Sequence, residues 1–117
     1  MIRLALIALL FATAATPAAA DGMAFFIDNQ HGAAAVAVEL YGSQRVWPGN
    51  DQVYLIEQGM KKSVPITCEP GETICWGAWV NGDARTYWGV GPDRIRQCRN
   101  CCFICVGKTT ATVEIGG

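Results

Sequence analysis

Histidine occurs once in this chain, at His31, and serine twice, at Ser43 and Ser63. A protein so poor in general bases and hydroxyl nucleophiles has few ways to build acid–base or acyl-transfer chemistry. Neither serine sits in a G-x-S-x-G elbow, and no P-loop, dinucleotide fingerprint or H-E-x-x-H run is present. Asp51, Glu57, Glu69, Glu72 and Asp83 are scattered, without a pairing that glycoside chemistry could be read from. His31, in "DNQHG", has only Asp28 near it and reads as a solvent-exposed turn residue. No catalytic constellation is recognisable, so the chain is read as a non-enzyme with no cofactor. Charge is also sparse: nine basic residues against ten acidic ones leave a formal net charge of −1. That balance offers no electrostatic footprint for nucleic acid and no polybasic membrane patch.

Long apolar runs are confined to the start, "MIRLALIALLFATAATPAAADG". Arg3 and the amino terminus form a positive n-region, residues 4–12 an apolar core, and Ala18-Ala19-Ala20 an A-x-A site before Asp21. Thr13, Thr16 and Pro17 cut the run short of the roughly 20 apolar residues that a spanning helix needs. No cysteine lies near the cleavage site, which argues against a lipoprotein. The reading is a bacterial-style secretory signal peptide over residues 1–20 and a mature chain over 21–117. That chain is secreted or periplasmic, without a membrane span, and long enough for one domain.

Helical signals are almost absent from the mature part. Short β-prone runs alternate instead with turn residues at intervals of about 8 to 12. They are "MAFFID" (23–28), "AAVAVELYG" (34–42), "QVYLIEQ" (52–58), "SVPITC" (63–68), "TICWGAWV" (73–80), "RTYWGV" (85–90), "CFICV" (102–106) and "TATVEI" (110–115). The expected fold is all-β: a single small antiparallel β-sandwich of seven to eight strands. Pro65 marks its strand as an edge or bulged one. Asn81-Gly82 suits a two-residue type I′ turn. That turn would set Val80 opposite Asp83, Trp79 opposite Ala84, Trp76 opposite Tyr87 and Cys75 opposite Trp88. Cys75, Trp79, Ala84 and Trp88 would then share the core face, and Trp76, Ala78, Arg85 and Tyr87 the other.

Cysteine is what the chain does have. Cys68, Cys75, Cys98, Cys101, Cys102 and Cys105 all fall in the mature part, four of them in "QCRNCCFIC". An even count in a short exported domain reads as disulfides, which an oxidising compartment keeps and a small core needs. A zinc site uses C-x2-C pairs separated by a longer segment, whereas here the pairs abut. An extended backbone would also turn Cys101 and Cys102 to opposite faces. A redox dithiol would want a βαβ context, and none is visible. A local Cys68–Cys75 bridge and bridges from each to the C-terminal cluster both remain open.

Four residues are the first candidates for a ligand surface. Trp47, in "RVWPGND", precedes a Pro-Gly turn; Trp76, with Arg85 and Tyr87 beside it, could stack on a carbohydrate or a peptide. Packed indoles are the competing reading for both tryptophans. Arg94, Arg96 and Arg99 form the one basic concentration, and a solvated loop is preferred there over an anion site. The favoured function is a binding or structural module of the cell envelope or extracellular space, of open oligomeric state. A small secreted inhibitor or effector, touching another protein through "WPGND" or "DRIRQ", is the first alternative. A metal or thiol-redox protein using the cysteine cluster is the second.

The run "CEPGETICWGAWVNGDARTYWGVG…CRNCCFIC" resembles small exported bacterial cysteine-rich proteins with a C-x2-GE-x-IC-x-GAW…WGVG…C-x2-CC-x2-C signature. The resemblance covers roughly the second half of the chain. It implies a recurring exported module and carries no reaction and no site residue.

Overall fold

The computed structural model describes residues 21–116; the signal-peptide expectation lies outside them. Nine strands follow in order: β1 (Asp21–Asn29), β2 (Val36–Tyr41), β3 (Val46–Trp47), β4 (Tyr54–Ile56), β5 (Lys61–Cys68), β6 (Thr73–Val80), β7 (Asp83–Gly89), β8 (Cys102–Ile104) and β9 (Thr110–Ile115). They form a β-sandwich. One sheet has the order β5-β1-β9, with β9 parallel to β1; every other strand pairing among the described residues is antiparallel. The second sheet is built on β2 and β6. β3 and β4 share the outer edge of β2, and β7 and β8 share the outer edge of β6. Such short edge strands leave little unpaired backbone in any one place.

The three-stranded sheet follows the period of its sequence. Met23, Phe25, Ile27 and Asn29 of β1, Val64, Ile66 and Cys68 of β5, and Ala111, Val113 and Ile115 of β9 point inward. Polar or small neighbours alternate outward, Phe26 being the large apolar exception, as on a sheet with one solvated face. Pro65 sits on the edge strand β5, facing out, where its missing N–H removes nothing from the sheet. From the second sheet Val36, Val38, Leu40, Ile74 and Ala78 close the core, each fully buried. Phe103 of β8 reaches in to meet Phe25 edge-on, with ring centroids 5.8 Å apart.

The β6–β7 hairpin departs from the simple register. Val80 does face Asp83, but the next pairs are Trp79–Tyr87, Ala78–Trp88 and Gly77–Gly89. Ala84, Arg85 and Thr86 are the residues that bulge out between, and the Asp83 carboxylate accepts from the Arg85 backbone N–H at 3.2 Å and from its Nε at 3.0 Å. An odd number of inserted residues exchanges inside for outside. The expected faces are therefore corrected. Trp76, Ala78 and Trp88 are on the core side, whereas Cys75 and Trp79 share the outer side with Tyr87.

That outer side is nevertheless covered. Residues 90–101 leave β7, cross the outer side of β6, and return to β8. Both ends of the crossing hold the main chain of Trp76: Val90 N donates to Trp76 O at 3.0 Å, and Trp76 N donates to Cys101 O at 2.9 Å. The crossing fits because β6 carries glycine at its centre. A Cβ on Gly77 would collide with the Gly91 carbonyl and stand 3.1 Å from the Tyr41 ring. Gly77→Ala should therefore cost about 2 kcal/mol, the scale of overpacking a filled site. A urea midpoint indistinguishable from wild type would show that the crossing segment is loosely held.

Three disulfides fasten this arrangement: Cys68–Cys105, Cys75–Cys102 and Cys98–Cys101. No cysteine is free. The local Cys68–Cys75 alternative does not occur, and Cys101 and Cys102 bond to different partners. Pro70 and Gly71 make the β5–β6 turn, with Glu72 N donating to Glu69 O at 2.9 Å and Gly71 at φ 82°.

The same turn places the one well-buried carboxylate that holds a loop. Glu72, its side chain 7% exposed, accepts from Glu69 N at 3.0 Å, Ser43 N at 3.2 Å and Arg45 Nη2 at 3.3 Å. The Glu69 N–H first, and then Arg45 and Ser43, lower its carboxyl below the ordinary 4.5. A carboxyl depressed on folding adds stability above its unfolded value, and that stability is lost as pH falls through the folded one. Wild type should thus exceed Glu72→Gln in stability at pH 7, and the gap should close at pH values below 4.5. Urea midpoints of both proteins across that range check this, and a gap independent of pH would refute it.

Candidate functional site

The four residues first considered as a ligand surface do not meet. Trp76 is 9% exposed and part of the core, and Trp47 is half-buried against the core's margin on β3, with Arg45 stacked 4.7 Å from its ring centroid. Arg85 projects from the bulge with its side chain 93% exposed, paired only with Asp83. Tyr87 is exposed on the outer face, and Arg96 lies 4.8 Å from its ring centroid. The faces of the hairpin separate Trp76 from Tyr87, and β3 lies at the opposite margin of the sheet. No stacking platform built from Trp76 and Tyr87 exists.

The loops "WPGND" and "DRIRQ", by contrast, converge. β2 presents Glu39 and Tyr41 on the outer face, two residues apart and so on one side of the strand. The turn carrying Gly49, Asn50, Asp51 and Gln52 rises beside them, closed by Gln52 N donating to Gly49 O at 3.1 Å. Asp93 and Arg94, from the tight turn at Pro92–Arg94, complete the opposite wall. Together with Val46 these residues enclose a cleft of about 410 Å³, within the size range of small-ligand sites. Asn50, Asp51, Asp93 and Arg94 all have left-handed backbone, φ 56–62°. Non-glycine residues held in that region need surrounding structure to keep them there, and here both walls of one cleft have them.

The cleft is acidic. Glu39, Asp51 and Asp93 line it, with Arg94 as its single cation. Among the described residues the ion pairs are Arg45–Glu72 and Arg85–Asp83, so none of the three cleft carboxylates has one. Arg94 instead lies with its guanidinium 6.0 Å from the Tyr41 ring centroid. Burial first, then Asp93 and Asp51, push the Glu39 carboxyl above its ordinary value, while Tyr41 opposes them. Tyr41 is 4% exposed, and its phenol is pushed well up by burial and then by Glu39. Its hydroxyl lies by the Glu39 carboxylate and the Asp93 main chain yet is in hydrogen-bond geometry with neither.

Nucleophile and base are not assembled here. His31 lies against Trp88, ring centroids 5.3 Å apart, and neither Ser43 nor Ser63 lines the cleft. All six cysteines are in disulfides, so none stands as a free thiolate in this structure. Among the described residues no group of three or more His, Cys, Asp or Glu is arranged to hold a metal ion. A larger hollow of about 600 Å³ lies on the outer face of the three-stranded sheet. Its lining of Gly22, Ala24, Pro65, Thr67 and Thr110 offers no charged group except Lys108. No helix among the described residues is long and apolar enough to cross a membrane.

Sequence reasoning offered both loops only as the contact of the alternative inhibitor or effector reading, and it missed the floor. Glu39 and Tyr41 were legible only as the polar side of the alternating run 34–42. A carboxylate and a tyrosine two apart in an otherwise apolar strand was the available signal. No protein-family model, characterised protein or solved structure matches the chain.

Proposed function

We propose that this protein is an exported, disulfide-stapled binding module that takes a small ligand or a partner's side chain into the cleft over Glu39 and Tyr41, without catalysis. The observation that carries the reading is the convergence of two separate loops on one face, where three carboxylates are left without ion pairs. Sites of recognition are commonly loops placed by a rigid scaffold. The scaffold here is cross-linked on the side of the cleft: Cys75–Cys102 and Cys98–Cys101 bracket the end of the crossing segment. Export is supported by the leader-like start and by three disulfides in a domain of this size.

The test is amide chemical-shift mapping of the oxidised mature chain against amines, neutral sugars, carboxylic acids and short peptides. Shifts clustering at residues 39–52 and 91–94 are expected for at least one class. Perturbation confined to the three-stranded sheet would place recognition elsewhere, and turnover of any panel member would end the non-catalytic reading.

A further inference from the structure

The cleft's chemistry specifies more than a hollow. We infer that it binds an alkylammonium group, a primary amine either free or at the end of a lysine side chain, with the ammonium among Glu39, Asp51 and Asp93 and the alkyl stem along Val46. This inference rests on the binding-module reading above and names its ligand class.

Glu39 stands near both Asp93 and Asp51, close enough for each to oppose its ionisation, and no ion pair answers any of the three. A neutral ligand would shut these charges away from water without neutralising them, and an anion would add to the repulsion. An ammonium supplies three N–H donors on a compact charge, which suits acceptors arriving from separate strands and loops. A bare metal ion fits less well, since among the described residues no group of three or more His, Cys, Asp or Glu is spaced to ligate one.

The Tyr41 hydroxyl is the one side-chain polar atom among the described residues buried without a hydrogen-bond partner. Buried polar atoms are nearly always satisfied, and an exception calls for a cause. This oxygen sits by Glu39 and Asp93, the groups proposed to hold the ammonium. A donor seated between them, with a small adjustment of the ring, gives the phenol oxygen its missing bond.

Val46 is 41% exposed at the cleft, and a methylene stem lying on it would bury apolar surface while its charged end reaches the carboxylates. Arg94 is the internal competitor: its guanidinium already occupies the Tyr41 ring face. A guanidinium there leaves less room for a second planar cation than for a slim ammonium.

The experiment is titration of the oxidised mature chain with 1,5-diaminopentane and with Nα-acetyl-lysine-N-methylamide, followed by calorimetry and amide shifts. Pentan-1-ol and pentanoate are the neutral and anionic controls. Both amines should shift residues 39–52 and 91–94, and neither control should. Equal binding of the two amines identifies a lysine side chain as sufficient; binding of the diamine alone identifies a free polyamine, and both outcomes support the inference. Glu39→Gln should weaken binding about tenfold, the scale of one charge-assisted hydrogen bond. Asp51→Asn serves as a second charge-removing variant should Glu39→Gln fail to fold. Tyr41→Phe should fold at least as well as wild type and still weaken the amine several-fold; unchanged affinity would make its hydroxyl a packing accident and overturn its role. Arg94→Gln should tighten binding. Failure of both amines to shift the cleft at roughly 10 mM, well above millimolar affinity, overturns the inference. If a sugar or carboxylic acid then shifts the same residues, the cleft stands and only the ammonium falls; if ligands act elsewhere, both readings fall.

Discussion

Replacing Cys68 and Cys105 together by alanine is expected to lower the unfolding free energy by about 4 kcal/mol, the chain-entropy value for a loop of this length. The two residues are 37 apart in sequence. They also join different sheets: Cys68 ends β5, opposite Asp21 of β1, and Cys105 follows β8 of the second sheet. Both are essentially inaccessible, at 0% and 1% exposure, so the alanines leave unfilled space as well as a freer unfolded chain. A domain of about 100 residues has a total stability of roughly 5–15 kcal/mol, and a loss of this size takes a large share of it. Cys98–Cys101 is the internal control. Its residues are three apart, and the same relation gives about 2 kcal/mol for so short a loop. Cys98 is also exposed, so limited dithiothreitol should open this bond first, seen as alkylation of Cys98 and Cys101 by mass. Urea unfolding of the two double variants decides the matter. Equal losses would mean that the bridges act by local packing and not by joining the sheets.

The bond between sheets explains why the cysteine cluster was legible as chemistry but not as connectivity. Even count, a leader-like start and abutting C-x2-C pairs suffice to point to disulfides. Pairing depends on where the chain crosses from β5 in one sheet to β6 in the other, and no local pattern encodes that crossing. Strand positions were easier, because β1, β2, β5 and β9 alternate with period two and Asn81-Gly82 marks the hairpin turn. β3, only two residues long, has no periodicity to read; the Gly42–Arg45 turn beneath Glu72 holds it in place. The bulge at Ala84, Arg85 and Thr86 was invisible for a different reason. A slip of register changes no residue's propensity, yet it parts Tyr87 from Trp76, which lies opposite Leu40 on the core face. The cleft inherits the same difficulty. Its loops were visible as turn-rich segments, but their meeting over Glu39 depends on Gly77 leaving room for Gly91, a contact between residues that nothing in the sequence links.

Asn29→Leu should cost about 3 kcal/mol, because it removes a hydrogen-bonding hub without changing its size much. Asn29 ends β1 and is the one polar side chain among the described residues that is fully buried in the core. Its amide nitrogen donates to Ala34 O and Ile56 O, each at 3.0 Å, with Glu57 O at 3.3 Å sharing a proton. Its amide oxygen accepts from His31 N at 2.9 Å. One side chain thus fastens the 30–35 loop to the end of β4, across the gap between the sheets. Leucine would fill the space and leave those carbonyls and that N–H buried without partners, the costly half of a lost hydrogen bond. Asn29→Asp separates this account from simple packing. Its ionised carboxylate would keep the His31 contact but set a second acceptor and a buried charge against carbonyl oxygens. Protonated, the carboxyl regains one donor, so folding raises its pKa above the unfolded value of about 3.9. A group raised on folding contributes most below its unfolded pKa and loses that contribution as pH climbs through the folded one. Asn29→Asp should therefore be the less stable variant at pH 7 and regain stability relative to Asn29→Leu as pH falls toward 4. Parallel pH profiles for the two would mean that the amide's donors do not hold the loop, and that Asn29 is buried there for its shape alone.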